Sequence, residues 1–274
     1  MTDTGETDEA TPRPGDFTGE WHPVMLRRMV TLGRPLYKFW FRSEVRGLDS
    51  FPAGGALIVS NHSGGTTPQD VPVLWLDFFE KFGYDRPLYT LAHDLLFQGP
   101  TKKILMQMGM IRATRDNAKK ALRSGAVVIV FPGGDNEALR PTWQQSKIDF
   151  SGRTGYVTTA IEAGVPIVPA VSIGGQETQL YLTRGEWLAK RLGLKRLTRS
   201  EQVAVTIGIP FGLSVGAINF PLPAKIVTQV LEPIDITAKF GENPDVAEVD
   251  AHVRGVMQTA LTDLAANRRF PILG

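Results

Sequence analysis

The chain has 274 residues, 42% of them hydrophobic and 21% charged, with no cysteine and a formal net charge of +2. That length suits one large domain or two small ones with a sizeable core, and the composition is that of an ordinary globular protein. The lack of cysteine excludes disulfides and thiolate chemistry and is compatible with a reducing cytosol, and no apolar run approaches the roughly 18–20 residues that span a bilayer.

Residues 1–16 are acidic, with a sum of −4, so the rest of the chain carries +6. The stretch 1–18 is polar and has little to bury, and it reads as a disordered tail ahead of a single domain, 19–274. It lacks the pattern of a signal peptide. Residues 21–42, WHPVMLRRMVTLGRPLYKFWFR, mix aromatic and aliphatic side chains with five basic ones. Gly33 and Pro35 predict a break into two short helices. Such a segment can pack on its own domain or lie on an anionic membrane surface.

Apolar strand-like runs then alternate with helical stretches. Strands are expected at 55–60, 87–92, 126–131, 165–173, 203–211 and 225–233. Helices are expected at 70–81, 100–108, 116–124, 154–163 and 245–268. Asp116 is the expected N-cap of the third helix, and Ser124-Gly125 its end. This alternation predicts an α/β fold, with a mainly parallel central sheet flanked by helices and an N-terminal amphipathic helical segment. In such a sheet, functional groups collect where strands end and helices begin.

Two junctions carry candidate chemistry. The first is NHSGGTTPQD (61–70), where His62 sits on a glycine-rich turn and Asp70 opens the next helix. If the loop folds back, Asp70 orients the imidazole and leaves its other nitrogen free to take a proton, as in a general base. A plain account also fits: Asp70 caps its helix and His62 is a turn residue. No nucleophile accompanies the pair at a convincing spacing, which suits a base acting on a substrate hydroxyl. The second junction is FPGGDNEALRP (131–141). Gly133 and Gly134 allow close backbone approach to a ligand, and Glu137 could bond a hydroxyl or an arginine. A plain strand-to-helix turn fits these residues too.

Arg112 and Arg115 lie at a strand end and a helix start, an arrangement suited to a phosphate. Lys119, Lys120 and Arg123 nearby read as a solvated helix face. The segment 185–197, GEWLAKRLGLKRL, is amphipathic and basic, and fits either lipid contact or a surface helix.

In this order, the segments resemble the glycerolipid acyltransferase superfamily, the enzymes related to lysophosphatidic acid acyltransferase. The likeness extends to the branch of monoacylglycerol- and diacylglycerol-acyltransferase-like sequences, and runs from about residue 45 to 235. Asn61, His62 and Asp70 match the first motif. Gly109, Ile111, Arg112 and Arg115 match the second. Phe131-Pro132-Gly133-Gly134 with Glu137-Ala138-Leu139 stands for the third, usually Phe-Pro-Glu-Gly. Val165-Pro166-Ile167-Val168-Pro169 matches the fourth. Two departures stand out. The usual aspartate slot, five residues after the histidine, holds Thr67, so the role passes to Asp70, with Asp77 as a weaker candidate. The usual glutamate is replaced by Gly133.

The resemblance implies an O-acyltransferase moving a fatty acyl group from acyl-CoA or acyl-ACP to a hydroxyl of a glycerol-based lipid. The acceptor would be lysophosphatidic acid or a lysophospholipid, and alternatively a mono- or diacylglycerol. His62 would be the base, oriented by Asp70. Arg112, Arg115, Gly133, Gly134 and Glu137 would bind substrate. Backbone amides near Gly133–Gly134 or in the His62 loop would hold the thioester oxyanion. No metal and no cofactor beyond the thioester co-substrate is implied. The protein would be peripheral on the inner, cytoplasmic face of a membrane, with its oligomeric state open.

Two rivals remain. Gly212-Leu213-Ser214-Val215-Gly216 matches the G-x-S-x-G pattern of serine esterases, but no good helix follows Ser214, and only His252 comes after it. The other rival is a catalytically inactive lipid-binding protein. Nucleic acid is a poor fit, because the basic residues are interleaved with aliphatic ones rather than exposed aromatics.

Overall fold

The run Ala56–Ser60 is buried along its whole length and becomes the middle strand of a seven-stranded sheet. Its β-branched residues suit a strand covered on both faces. The computed structural model describes residues 13–65, 68–191, 202–216, 219–268 and 270.

In chain order the elements are α1 (Pro23–Pro35), a π-helical turn (Leu36–Trp40), β1 (Glu44–Arg46), β2 (Ala56–Ser60), α2 (Asp70–Phe82), β3 (Leu88–Ala92), α3 (Lys102–Gln107), β4 (Met110–Arg112), α4 (Arg115–Arg123) and β5 (Val127–Val130). Then come α5 (Asp135–Ala138), α6 (Gly155–Ala163), β6 (Ile167–Ile173), β7 (Leu180–Thr183), α7 (Glu186–Arg191), β8 (Val205–Gly208), β9 (Gly212–Val215) and β10 (Val227–Val230). Helices Ile236–Phe240 and Val246–Ala266 complete the described chain.

The large sheet has the order β1-β10-β6-β2-β5-β3-β4. Strands β6, β2, β5, β3 and β4 run parallel, while β10 is antiparallel to β6 and β1 follows β10. The expected mainly parallel α/β sheet is therefore present. Leu57 and Val59 face one core, with α4, α6 and the Val246–Ala266 helix. Ala56 and Ile58 face the other, with α2 and Leu26 of α1. Each buried Leu, Ile, Val or Phe contributes about 1.5–3 kcal/mol of transfer free energy. Helix α2 is apolar around most of its circumference, as a helix sunk between sheet and surface must be. All the parallel strands end at one edge of the sheet, and the motif loops gather there.

Several expectations are corrected. Helix α1 runs through Gly33 to Pro35 and passes into the π-turn without a break, so those residues mark a change of winding rather than an interruption. The N-cap of α4 is Thr114, whose hydroxyl accepts from the Asn117 amide, and Asp116 pairs with Lys120 in the first turn instead. The run 203–211 leaves the large sheet and joins a separate antiparallel sheet, β7-β8-β9. Residues 13–18 do not hang free: the Arg112 amide donates to the Gly15 carbonyl (2.7 Å), and Phe17 packs edge-on against Tyr89. Residues 1–12 of the expected tail, Thr67, and residues 192–197 of the basic amphipathic segment lie outside the described residues.

Candidate active site

The loop after β2 is held by side chains at every position from Asn61 to Gly64. Asn61 is fully buried and imitates a strand partner: its amide donates to the Ser172 carbonyl (2.9 Å) and accepts from the Ser172 N–H (2.7 Å), tying β2 to β6. His62 follows, with its Nδ1 2.9 Å from Asp70 Oδ2. The same carboxylate accepts the Ser63 N–H (2.8 Å), and its other oxygen accepts the Val71 N–H (2.9 Å). Asp70 is the first residue of α2 and steers the imidazole. The helix N-cap is Gln69, which makes no side-chain capping bond, so the expected cap at Asp70 is corrected.

An ionised carboxylate only accepts, so a neutral His62 carries its proton on Nδ1 and its lone pair on Nε2. Nε2 has no hydrogen bond among the described residues, and the side chain keeps 16% of its surface exposed. Phe131 lies against the ring at 4.4 Å between centroids. Burial pulls the imidazole pKa down. The charge and hydrogen bond of Asp70, assisted by Glu137 and Asp135, outweigh that, so His62 titrates above the ordinary histidine value.

The loop after β5 supports the same histidine from behind. Glu137 is fully buried. Its carboxylate accepts the His62 N–H (2.9 Å) and the Asp149 N–H (2.9 Å), with Arg140 at 3.7 Å. Burial raises its pKa, against the pull of Arg140 and the two amides. A Cβ on Gly133 would lie 2.2 Å from this side chain, so only glycine fits there. Arg140 itself is buried and donates to the His62 carbonyl (3.2 Å). Arg153 fixes the turn by donating to the carbonyls of Pro132 (2.9 Å) and Gly133 (3.1 Å).

The third strand end adds Gln176, buried just past β6. Its carbonyl accepts the Gly64 N–H (2.6 Å), and its amide donates to the carbonyls of Ala138 (2.9 Å) and Arg140 (2.8 Å). Tyr181 of β7 donates to the Gly64 carbonyl (3.2 Å). Its phenol fills the space a side chain at Gly65 would need. Three loops, from β2, β5 and β6, are thus bolted into one rigid base-and-carboxylate site.

The acyltransferase family model matches residues 42–173, a span that runs from just before β1 to the end of β6. An uncharacterized protein of Mycobacterium tuberculosis is 32% identical over 251 residues, covering 88% of this chain and 68% of that protein. The chain belongs to the acyltransferase family. A chicken protein described as a DGAT1/2-independent enzyme synthesizing storage lipids is 30% identical over 230 residues, covering 82% of this chain and 60% of its own length. Among solved structures, the 1-acyl-sn-glycerophosphate acyltransferase PlsC of Thermotoga maritima shares the fold, with a TM-score of 0.56. That match has 17% identity and covers 88% of this chain and 81% of that one.

Within this acyltransferase, the remaining sequence candidates fall into place unevenly. Asp77 pairs with Lys38 (2.5 Å), so it does not compete with Asp70. Arg112 ends β4 on the same sheet edge as His62, but three strand spacings away, roughly 14 Å. Its guanidinium is paired with Asp94 (3.1 Å) and Asp16 (3.2 Å). Arg115 stands exposed on α4, with its guanidinium beside Gly155 of α6. Lys119 pairs with Glu162 (2.8 Å), and Arg123 donates to the Glu162 carbonyl (2.9 Å), which fits the solvated helix face. Glu137, expected to bond a hydroxyl or an arginine, does pair with Arg140 (3.7 Å), and its hydrogen bonds go to the backbone amides of His62 and Asp149. The amides of His62, Ser63 and Gly64, one of the expected oxyanion sites, all donate to Glu137, Asp70 and Gln176. The Gly134 amide donates to the Phe131 carbonyl (3.1 Å).

The esterase pattern is not built as a nucleophile elbow. Ser214 lies within strand β9 and is hydrogen-bonded to Thr206 (3.1 Å) and Asn219 (3.2 Å). His252 sits on the Val246–Ala266 helix against Phe240. Gln176, Arg140 and Tyr181 were not singled out from the sequence. Gln176 follows a strand and Gly174-Gly175, but nothing in the local sequence points to its partners, and the other two had no signal either.

Proposed function

We propose that the chain is an O-acyltransferase that moves a fatty acyl group from a thioester, acyl-CoA or acyl-ACP, to a hydroxyl of a glycerol-based lipid. The observation that carries this reading is the Nδ1–Asp70 bond, which leaves Nε2 of His62 as an unclaimed base. In this reaction Nε2 takes the proton of the acceptor hydroxyl as its oxygen attacks the thioester carbonyl. The tetrahedral intermediate collapses with loss of the thiolate, and the imidazolium returns the proton to that sulfur. An ester forms, a thioester breaks, and no enzyme nucleophile is needed. Asp70 stabilises the imidazolium between the two proton transfers.

The second motif supports a phosphate-bearing acceptor, with Arg112 as the group that meets it. One observation favours a second reading, transfer to a neutral mono- or diacylglycerol: two carboxylates already neutralise Arg112. The naming of the chicken relative as a storage-lipid enzyme points the same way. No helix among the described residues is long and apolar enough to cross a membrane, so the reading treats contact with lipid as peripheral.

The test is a panel of acyl-CoA and acyl-ACP donors with lysophosphatidic acid, lysophospholipid, monoacylglycerol and diacylglycerol acceptors, with products identified by mass. Ester products that vanish with His62→Ala support the reading. Wild-type protein that forms none with any pair overturns it.

A further inference from the structure

The small antiparallel sheet is built inside out. A half-buried strand normally turns apolar residues inward and polar ones to water. Along β8, Thr206 is buried while Ile207 is exposed. Along β9, Ser214 bonds to Thr206 and Asn219 on the inner side, while Leu213 is 68% exposed. The register places Leu180, Ile207 and Leu213 side by side on the outer face. Tyr181, on the inner face, is buried against the His62 loop.

The outer patch extends beyond the sheet. Ile209 bridges to Phe220, whose ring meets Trp40 at 5.8 Å. Trp40 belongs to the π-turn, which also exposes Phe39 (81%) and Leu36. With Phe211 and Val215, exposed two positions either side of Leu213, ten of the eighteen large apolar side chains exposed among the described residues lie on this one surface. Contiguous apolar patches beyond about 300–600 Å² are rare on monomers and mark interaction sites.

We propose that this face rests on an anionic lipid bilayer, with β7-β8-β9 and the π-turn as one docking platform. Charge selects the occupant. No residue between Glu201 and Lys225 is charged, so the apolar centre carries no acidic group to repel an anionic surface. Beside it, α7 exposes Trp187 with Lys190 and Arg191. An apolar centre edged by tryptophan and basic side chains is the composition of a membrane–water interface. Position agrees. The sheet whose outer face would meet the bilayer holds the His62 loop on its inner face, through Tyr181 and Gly64. The proposal rests on the reading above that the substrates are lipids. It names the surface through which they reach the site, and it widens the expected contact from residues 21–42 to a platform that includes the small sheet.

The full-length chain tests it by co-sedimentation with vesicles of equal parts phosphatidylcholine and phosphatidylglycerol. Two variants are compared with wild type: Ile207→Ser with Phe211→Ser and Leu213→Ser, and Lys190→Glu with Arg191→Glu. Circular dichroism checks the fold, and the charge variant alters only exposed groups should the first misfold. The expected result is a vesicle affinity lower by about tenfold or more in each variant, with sedimentation velocity showing the same oligomeric state as wild type. Vesicle binding unchanged in both variants overturns the proposal. So does loss of self-association in place of vesicle binding, which would give the face to a second copy of the chain. His62→Ala is measured alongside. It should bind vesicles like wild type whether or not it transfers acyl groups, so failure of the platform and failure of the transferase reading are told apart.

Discussion

The Glu137 carboxylate occupies the space that a side chain at Gly133 would need, with its Cδ and Oε2 each 2.3 Å from a Cβ built there. The third motif of the superfamily usually carries its glutamate at the position of Gly133. Here the carboxylate arrives from four residues further on, across the turn of α5, and meets the His62 backbone amide at 2.9 Å. Side chains at 133 and 137 therefore exclude one another, and an exchange of one for the other would keep a single carboxylate in this space.

That exchange predicts a coupled pair. Gly133→Glu alone should fail, because it forces a second carboxylate into a filled and buried space. Glu137→Ala alone orphans two buried amides, at about 1–3 kcal/mol each. Combining them should recover stability and transfer relative to the sum of the single changes. A thermal and kinetic double-mutant cycle measures this. Strict additivity would contradict the exchange.

Asp70→Asn tests the electrostatics of the base. His62 acts as a base only when neutral, and its pKa is raised by Asp70 against the effect of burial. The acid limb of kcat/KM in the wild type should therefore lie above the ordinary histidine value of about 6.5. Removing the charge leaves burial to pull the pKa down, so the limb should move to lower pH while the maximum rate falls. Stability follows the opposite side of the titration. A raised folded pKa stabilises fully below about 6.5, and that contribution is lost as pH rises through the folded value. The stability gap between wild type and Asp70→Asn should thus be widest in acid and narrow toward alkaline pH. A limb that does not move would show that Asp70 does not tune the imidazole.

Gln176→Leu removes an acceptor from the Gly64 amide and donors from two carbonyls. The expected result is a stability loss of about 1–3 kcal/mol per orphaned buried group, with kcat falling more than KM rises, because the His62 loop loosens while no substrate contact is removed. A pure KM effect would instead place Gln176 against substrate.

Arg112→Ala separates the two acceptor readings. If the guanidinium exchanges a carboxylate partner for a lipid phosphate, transfer to lysophosphatidic acid should fall far more than transfer to monoacylglycerol. Equal losses would assign Arg112 to holding residues 13–18 and Asp94 against β4.

Much of the fold was legible because β2, β5 and β6 are covered on both faces and so read as unbroken β-branched runs. Strands β1, β7 and β9 were not legible. They are three or four residues long, and β7 and β9 turn aliphatic side chains to the outside, which hides the usual alternation. The His62–Asp70 pair could be read from one loop, since eight positions separate the partners. Gln176 and Tyr181 could not, because they reach the Gly64 backbone across 112 and 117 positions. Such contacts leave no local pattern. Glu137 was legible only in part: an arginine partner was expected and Arg140 lies 3.7 Å away, but its bonds to the His62 and Asp149 amides, 75 and 12 positions off, leave no local pattern.

The most direct measurement of the central claim is acyl transfer by purified His62→Ala beside wild type, with thiol release from acyl-CoA and the ester product both followed. Wild type should form ester and release thiol in step, and the variant, still folded, should lose about two to four orders of magnitude in rate. Transfer at the wild-type rate by the folded variant would contradict the claim.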